Sequence, residues 1–179
     1  VFDIVVAADR EWGIGKDNAL PWPKLKGDLA HFKRITCEAP EGQRNAIVMG
    51  RRTWESAEVA GKALPRRLNI VISRHALGVP EGVIAATSLD DALAKAVAEA
   101  MNVSSTFVVG GAQIFREAFD HPQLRYVYLT RVDGAFGTDA RLPDLDARGF
   151  VVDAWDGACE GEDSGVRYRI ERLRRPRGT

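Results

Sequence analysis

Phe107-Val108-Val109-Gly110-Gly111-Ala112-Gln113-Ile114-Phe115 runs without interruption from an apolar, β-branched strand pattern, through two adjacent glycines, into a helix start. Adjacent glycines let the chain turn sharply and let a ligand approach the backbone closely, while the free N–H groups of a new helix point at any anion that docks there. A second junction of this kind stands upstream at Ile47-Val48-Met49-Gly50-Arg51-Arg52-Thr53-Trp54, where Gly50 allows the turn and Arg51 and Arg52 supply positive charge. Strand, turn and helix in this succession describe an α/β chain that binds its ligand beyond the carboxyl ends of its strands. Two anion seats imply a dinucleotide.

The rest of the chain agrees. Short, nearly continuous apolar runs recur at Ile4–Ala8, Ala46–Met49, Leu68–Ile72, Val83–Ala85 and Thr106–Val109. Continuous rather than alternating runs belong to strands buried on both faces. Helical patterns lie between them at Leu29–Cys37, Thr53–Val59, Leu89–Met101 and Gln113–Phe119, so the order predicts an α/β fold with a largely parallel sheet. The third helix has the clearest start, Ser88-Leu89-Asp90-Asp91, where Ser88 can cap and Asp91 can return the bond. After Phe119 the pattern changes: Arg125–Val132 alternates and is followed by Phe150–Val152 and Val166–Ile170, which predict closing strands with hairpin connections. Trp12-Gly13-Ile14-Gly15 is expected to stay outside regular structure until the first helix, and Ala39–Asn45 and Ser56–Leu64 read as loop expansions.

At 179 residues and 45% hydrophobic, the chain has enough apolar material for one domain with a sizeable core and too little for two ordinary ones. Basic and acidic residues number 25 each, so no overall charge draws the protein to nucleic acid or a membrane, and a small-molecule partner is expected. Two cysteines, Cys37 and Cys159, cannot build a disulfide framework, and no metal is called for. No apolar run reaches the length of a membrane span or a secretory signal, which makes the cytoplasm the default expectation, with a monomer as the expected state. The domain is read as residues 1–173, followed by a basic tail at 174–179. The Arg-rich run Arg172–Arg177, with Pro176 and Gly178, is taken for a solvated, frayed end.

One acid stands out. Asn18-Ala19-Leu20-Pro21-Trp22 is followed six residues later by Asp28, which heads the amphipathic stretch Asp28-Leu29-Ala30-His31-Phe32-Lys33. An Asp before an apolar helix is most often only a cap. Here the long preceding loop and the apolar residues Leu29, Phe32 and Ile35 at helical spacing favour a buried, directional hydrogen-bonding carboxylate, suited to a small cationic or amidine-like heterocycle. On the nucleotide side, Ser73-Arg74 follows the strand pattern Leu68–Ile72 and lies at a carboxyl strand end. With Arg51 and Arg52, and without an acid to receive a ribose hydroxyl, it favours a 2′-phosphate and hence NADPH over NADH.

Taken together, these pieces resemble dihydrofolate reductase from Asp3 to about Leu173. The strongest points are Gly15 with Asn18–Trp22, Asp28–Lys33, Met49-Gly50-Arg51-Arg52-Thr53-Trp54-Glu55-Ser56, Leu64-Pro65-Arg66-Arg67, Gly110–Phe115, Tyr128-Leu129-Thr130 and Thr138-Asp139. The resemblance implies an eight-stranded, mostly parallel twisted sheet with flanking helices and an antiparallel C-terminal strand. It also implies hydride transfer from NADPH to 7,8-dihydrofolate, in support of one-carbon metabolism, with dihydrofolate and antifolate inhibitors as the small-molecule partners. By position, Asp28 and Thr130 would grip the amidine edge of the pterin. Phe32 and Leu64 would line the aromatic midsection, Arg67 would take the glutamate α-carboxylate, and Lys62 would stand near the glutamate tail. Backbone carbonyls of Val5 and Val109 would border the pterin and nicotinamide. Leu20 and Trp22 belong to the loop that closes over the reacting rings. The cofactor would be held by Ala7, Ile14, Gly15, Asn18 and Ala19, by Gly50, Arg51, Arg52 and Thr53, by Ser73 and Arg74, and by Gly110, Gly111, Ala112, Gln113, Ile114 and Phe115. Phe115 replaces the Tyr of many relatives, and Gln113 replaces an Arg found in some, which throws the 2′-phosphate onto Arg51, Arg52, Ser73 and Arg74. The alternatives are a same-fold NADPH reductase of a riboflavin-pathway pyrimidine and a non-catalytic folate- or NADPH-binding protein.

Overall fold

A computed structural model of the protein describes residues 1–176. The core strands and helices are β1 (Phe2–Ala8), α1 (Lys26–Cys37), β3 (Arg44–Gly50), α2 (Arg51–Trp54), β4 (Leu68–Ile72), β5 (Ile84–Ala86), α3 (Leu89–Ala98), β6 (Val103–Gly110), α4 (Ala112–Asp120) and β7 (Leu124–Val132). Around them lie β2 (Gly13–Gly15), β8 (Ala140–Arg141), β9 (Val151–Asp153), β10 (Cys159–Asp163) and β11 (Val166–Arg174). Eight strands follow the order β10-β11-β7-β1-β6-β3-β4-β5. Every neighbour from β7 to β5 is parallel, while β11 runs antiparallel to β7 and β10. The expected mostly parallel sheet with an antiparallel C-terminal strand is therefore present, and β9 extends it by pairing with β11 at Arg172–Arg174.

The continuous apolar runs have the cause the sequence suggested. Along β1, Phe2, Ile4 and Val6 join the core cluster that α3 and α4 cover through Leu93, Phe115 and Phe119. Val5 joins the opposite cluster with Ile47, Met49, Val71, Phe107 and Tyr128, against which Phe32 and Ile35 of α1 pack. Both faces are buried, so both sets of alternating side chains must be apolar.

Several boundaries differ from expectation, each for a local reason. Helix α1 begins at Lys26 with Leu25 as its cap residue, so Asp28 lies inside the first turn and does not cap it. The helix expected over Thr53–Val59 stops at Trp54, because Ser56 Oγ bonds back to the Thr53 carbonyl and Ala60 and Gly61 take left-handed conformations. Helix α3 ends at Ala98 and not at Met101, its last turn closed by Asn102 and Val103 amides on the Glu99 carbonyl. At its start Ser88 accepts from Asp91 N at 3.0 Å, and Asp91 returns a bond to Thr87 N.

Two pairings were invisible. Gly13–Gly15, read as irregular, pairs antiparallel with Ala140–Arg141. The polar strand β10 forms the one hairpin between consecutive strands of the main sheet among the described residues, with β11, whereas β7 lies parallel to β1. The basic run also needs correcting. Arg172 and Arg174 are strand residues ion-paired to Asp153, not part of a frayed end. Residues 177–179 of the expected tail lie outside the described residues.

Candidate active site

The carboxyl ends of β1, β6 and β3 meet where the chain reverses its direction of travel across the sheet, a place at which open α/β sheets hold ligands. Asp28 reaches this region from the first turn of α1. Its Oδ1 accepts a hydrogen bond of 2.6 Å from Thr130 Oγ1 on β7, and both residues are buried. Burial pushes the Asp28 carboxyl above its ordinary range, and the Thr130 hydrogen bond holds it partly down. Ala7 stands beside Thr130 in the β1–β7 register. Val5, Phe32, Leu64 and Val109 share one apolar cluster.

At the far end of α1, Arg67 is buried and fixed. Its Nε donates to the Pro65 carbonyl at 2.9 Å and its Nη1 to Thr36 Oγ1 at 3.0 Å, while Nη2 bonds no protein group among the described residues. A guanidinium held along one edge presents the other for planar anion recognition. Lys62 is exposed on the turn after α2.

The glycine junctions converge. A Cβ on Gly110 would lie 2.6 Å from Thr53 Oγ1 and one on Gly111 3.2 Å from the same atom, while one on Gly50 would meet Ile114 at 3.1 Å. The Gly110–Gly111 peptide is cis, and Gly110 takes a φ of +150°. Gly50, Thr53, Gly110, Gly111 and Ile114 are thus one constellation, with Ala112 opening α4 and Gln113 exposed behind it. Phe115 is not part of it. It turns inward, stacks on Phe119 and packs in the core. Arg51, Arg52 and Arg74 are exposed, with Arg51 paired to Glu55 at 3.0 Å. Ser73 is buried, and its Oγ accepts from His75 N at 3.3 Å. Exposed guanidiniums beside strand-to-helix turns form a donor set that suits the phosphates of a dinucleotide.

The loop between β2 and α1 spans the region. Ile14 and Gly15 of β2 lead into it, and Lys16 and Ala19 bridge around Asp17 and Asn18, both left-handed. Leu20 N donates to Glu58 Oε1 at 2.7 Å and Ala57 N to the Asn18 carbonyl at 3.3 Å, which ties the loop to the turn after α2. Trp22 is buried against Leu25 and Val132 and edge-on to Phe136, whereas Leu20 stays exposed. Sequence reasoning missed Glu58 and also Asp9, whose carboxylate collects the amides of Glu11, Gly13 and Phe136. An Asp directly after a strand with a glycine four residues on was the available signal for Asp9.

No helix of the described residues is long and apolar enough to cross a membrane. The sequence matches the family described as dihydrofolate reductase over residues 1–175. It is 37% identical over 173 residues to the bifunctional dihydrofolate reductase-thymidylate synthase of Glycine max, covering 93% of this chain and 32% of that protein. The chain therefore spans about a third of the length of that bifunctional relative. It is 34% identical to the dihydrofolate reductases of Rattus norvegicus, over 93% of both chains, and of Gallus gallus, over 93% and 92%. With the family matched over nearly the whole length and the site residues gathered as described, this chain belongs to the dihydrofolate reductase family.

Proposed function

We propose that this chain reduces 7,8-dihydrofolate to tetrahydrofolate with NADPH in a cleft along α1, and the observation that carries the reading is the buried Asp28–Thr130 pair at the start of that helix with Arg67 bonded to Thr36 near its end. A pterin offers an amidine-like edge, an aryl middle and a glutamate carboxylate. The cleft offers a carboxylate with a hydroxyl, an apolar wall and a guanidinium in the same order. NADPH, when bound, supplies the hydride; Arg51, Arg52, Ser73 and Arg74 would hold its 2′-phosphate, and the Gly50, Gly110 and Gly111 turns would let its backbone-facing groups come close.

The protein's own contribution is chiefly positioning. Asp28 binds the pterin edge and, as an anion in a dry pocket, favours a ring that has gained a proton. Thr130 fixes the carboxylate's direction. Since Asp28 grips the edge remote from N5, the proton for N5 comes from a water admitted beneath the Leu20 loop, with Asp28 polarising the ring. The same carboxylate would pair with protonated diaminopyrimidine antifolates.

NADPH oxidation followed with dihydrofolate tests this directly. Turnover with dihydrofolate is expected, and none with a ribosylaminopyrimidine phosphate. Binding of both ligands without oxidation would sink the enzymatic reading and leave a binding protein.

A further inference from the structure

Helix α1 starts without a cap of its own, because Leu25 has no side-chain acceptor. The acceptor comes from far along the chain: Asp163, at the end of β10, takes the Lys26 amide on Oδ2 at 2.7 Å. Ser164 Oγ reaches the Lys24 carbonyl at 3.4 Å from the same hairpin.

A second, separate feature joins the same two elements. Tyr168 on β11 faces Gly161 across the hairpin, and its ring fills the space where a Cβ on Gly161 would stand. Its hydroxyl then occupies the place of a Cβ on Gly27, so two glycines in different elements make room for one tyrosine. Gly27 immediately precedes Asp28. Tyr168 also packs with Trp22, Leu25 and Val132, which ties the preceding loop into this contact. Burial, then the negative field of Cys159, Asp28 and Asp163, pushes the Tyr168 phenol up, so it stays protonated.

A carboxylate in the first turn of a helix ordinarily turns back toward the free amides there. In this protein Asp28 faces Thr130 instead. We infer that the β10–β11 hairpin positions Asp28: Asp163 satisfies the helix end from outside and Tyr168 braces Gly27, which leaves the Asp28 carboxylate to point into the cleft. Asp163 and Tyr168 are positioning residues that act through Asp28. The inference rests on the reading of the cleft as a dihydrofolate site.

Asp163→Ala, Asp163→Asn and Gly27→Ala in the full chain test it, each checked by circular dichroism and thermal melting. Asp163→Ala is expected to raise KM for dihydrofolate about fivefold, the change equivalent to one lost cap, with KM for NADPH unchanged. It should also move the ionisation that governs kcat/KM to lower pH, since the first-turn amides that Asp163 no longer satisfies become free to hydrogen-bond the Asp28 carboxylate. Asp163→Asn keeps an acceptor for Lys26 and should restore KM. Gly27→Ala displaces Tyr168 without changing any charge and should reproduce the KM effect. Variants that melt lower yet keep the wild-type dihydrofolate KM and pH profile would overturn the positioning role alone. A folded wild type that does not oxidise NADPH with dihydrofolate would overturn both this role and the reading of the site.

Discussion

On the substrate side of the site a single carboxylate is buried, bonded to one threonine and aimed by contacts from strands more than a hundred residues away; on the nucleotide side three guanidiniums stand in solvent. Arg51, the best held of the three, pairs with Glu55, and both side chains are about half exposed, at 51% and 48%. The contrast follows from what each end must do. Where a ring has to be protonated and aligned, the charge must be fixed in advance in a low-dielectric place. Where a phosphate arrives with its own charge and must leave again, screened and mobile cations suffice. The pterin end should therefore respond to small changes of structure and acidity, and the phosphate end to salt.

The largest effect is expected from Asp28→Asn. Asn retains the size and an acceptor for Thr130 but not the charge, so turnover at neutral pH should fall by about two to four orders of magnitude, with partial recovery in acid where dihydrofolate arrives protonated. Stability should move the other way. Burial raises the Asp28 pKa above its unfolded value, so the folded state binds the proton more tightly and the ionised carboxylate is a cost above the folded pKa, relieved as pH falls through it. The Asn variant should melt at or above the wild type near neutrality. A variant that is active but less stable would make the pair structural and erase the contrast.

Arg67→Lys comes next, because this residue is the buried counterpart of the exposed arginines. Lysine cannot bond Pro65 and Thr36 while also offering a planar edge. Affinity for a folate bearing its glutamate should drop about tenfold or more, in the range of one charged hydrogen bond, while a pteridine lacking the tail should bind as before. Equal weakening of both ligands would show that Arg67 only supports the fold.

Much of this division was legible in the chain because its signals are local. The glycine turns at Gly50 and Gly110-Gly111, the apolar runs of the buried strands and the isolated acid before an apolar helix each lie within a few residues. What escaped is what depends on distant partners. Glu58 reaches Leu20 across 38 positions and Asp163 reaches Lys26 across 137, and neither acid carries a pattern that marks it. Gly27 and Gly161 look like unrelated helix and strand glycines until Tyr168 is seen to fill both spaces. β10 escaped because Cys159-Glu160-Gly161-Glu162-Asp163 is an exposed edge with no apolar alternation.

The phosphate end is sharpened by Arg51→Ala with Arg74→Ala. KM for NADPH should rise roughly tenfold, consistent with charge-assisted contacts weakened by solvent, while KM for NADH hardly changes. The wild type's preference for NADPH should shrink as salt is added, and the double variant should be nearly insensitive to salt. Both side chains are exposed, so the melting temperature should not move. A double variant that keeps the full preference would shift the 2′-phosphate site elsewhere.

The smallest effect concerns His31, one turn beyond Asp28 on α1, and it separates acid from salt as the stress each end feels. His31 is buried, neither ring nitrogen has a hydrogen-bond partner among the described residues, and its ring lies edge-on to Trp155 at 5.8 Å. Burial first, and then the Arg34 charge, lower its pKa from 6.5 to about 4. The unfolded chain therefore takes up a proton below about pH 6.5 that the folded chain refuses until about pH 4, so stability is lost as pH falls through that window. The full loss from this group is of order 3 kcal/mol. His31→Phe keeps an aromatic edge for Trp155 and removes the titration. Denaturant unfolding at pH 8 should give nearly equal stabilities for the two proteins, and at pH 5 the variant should be the more stable. Turnover at neutral pH should be unchanged, because His31 is already neutral there. Identical losses in both proteins between pH 8 and pH 5 would mean that His31 gains its proton freely in the folded state, and the acid sensitivity of the pterin end would then have to come from another group.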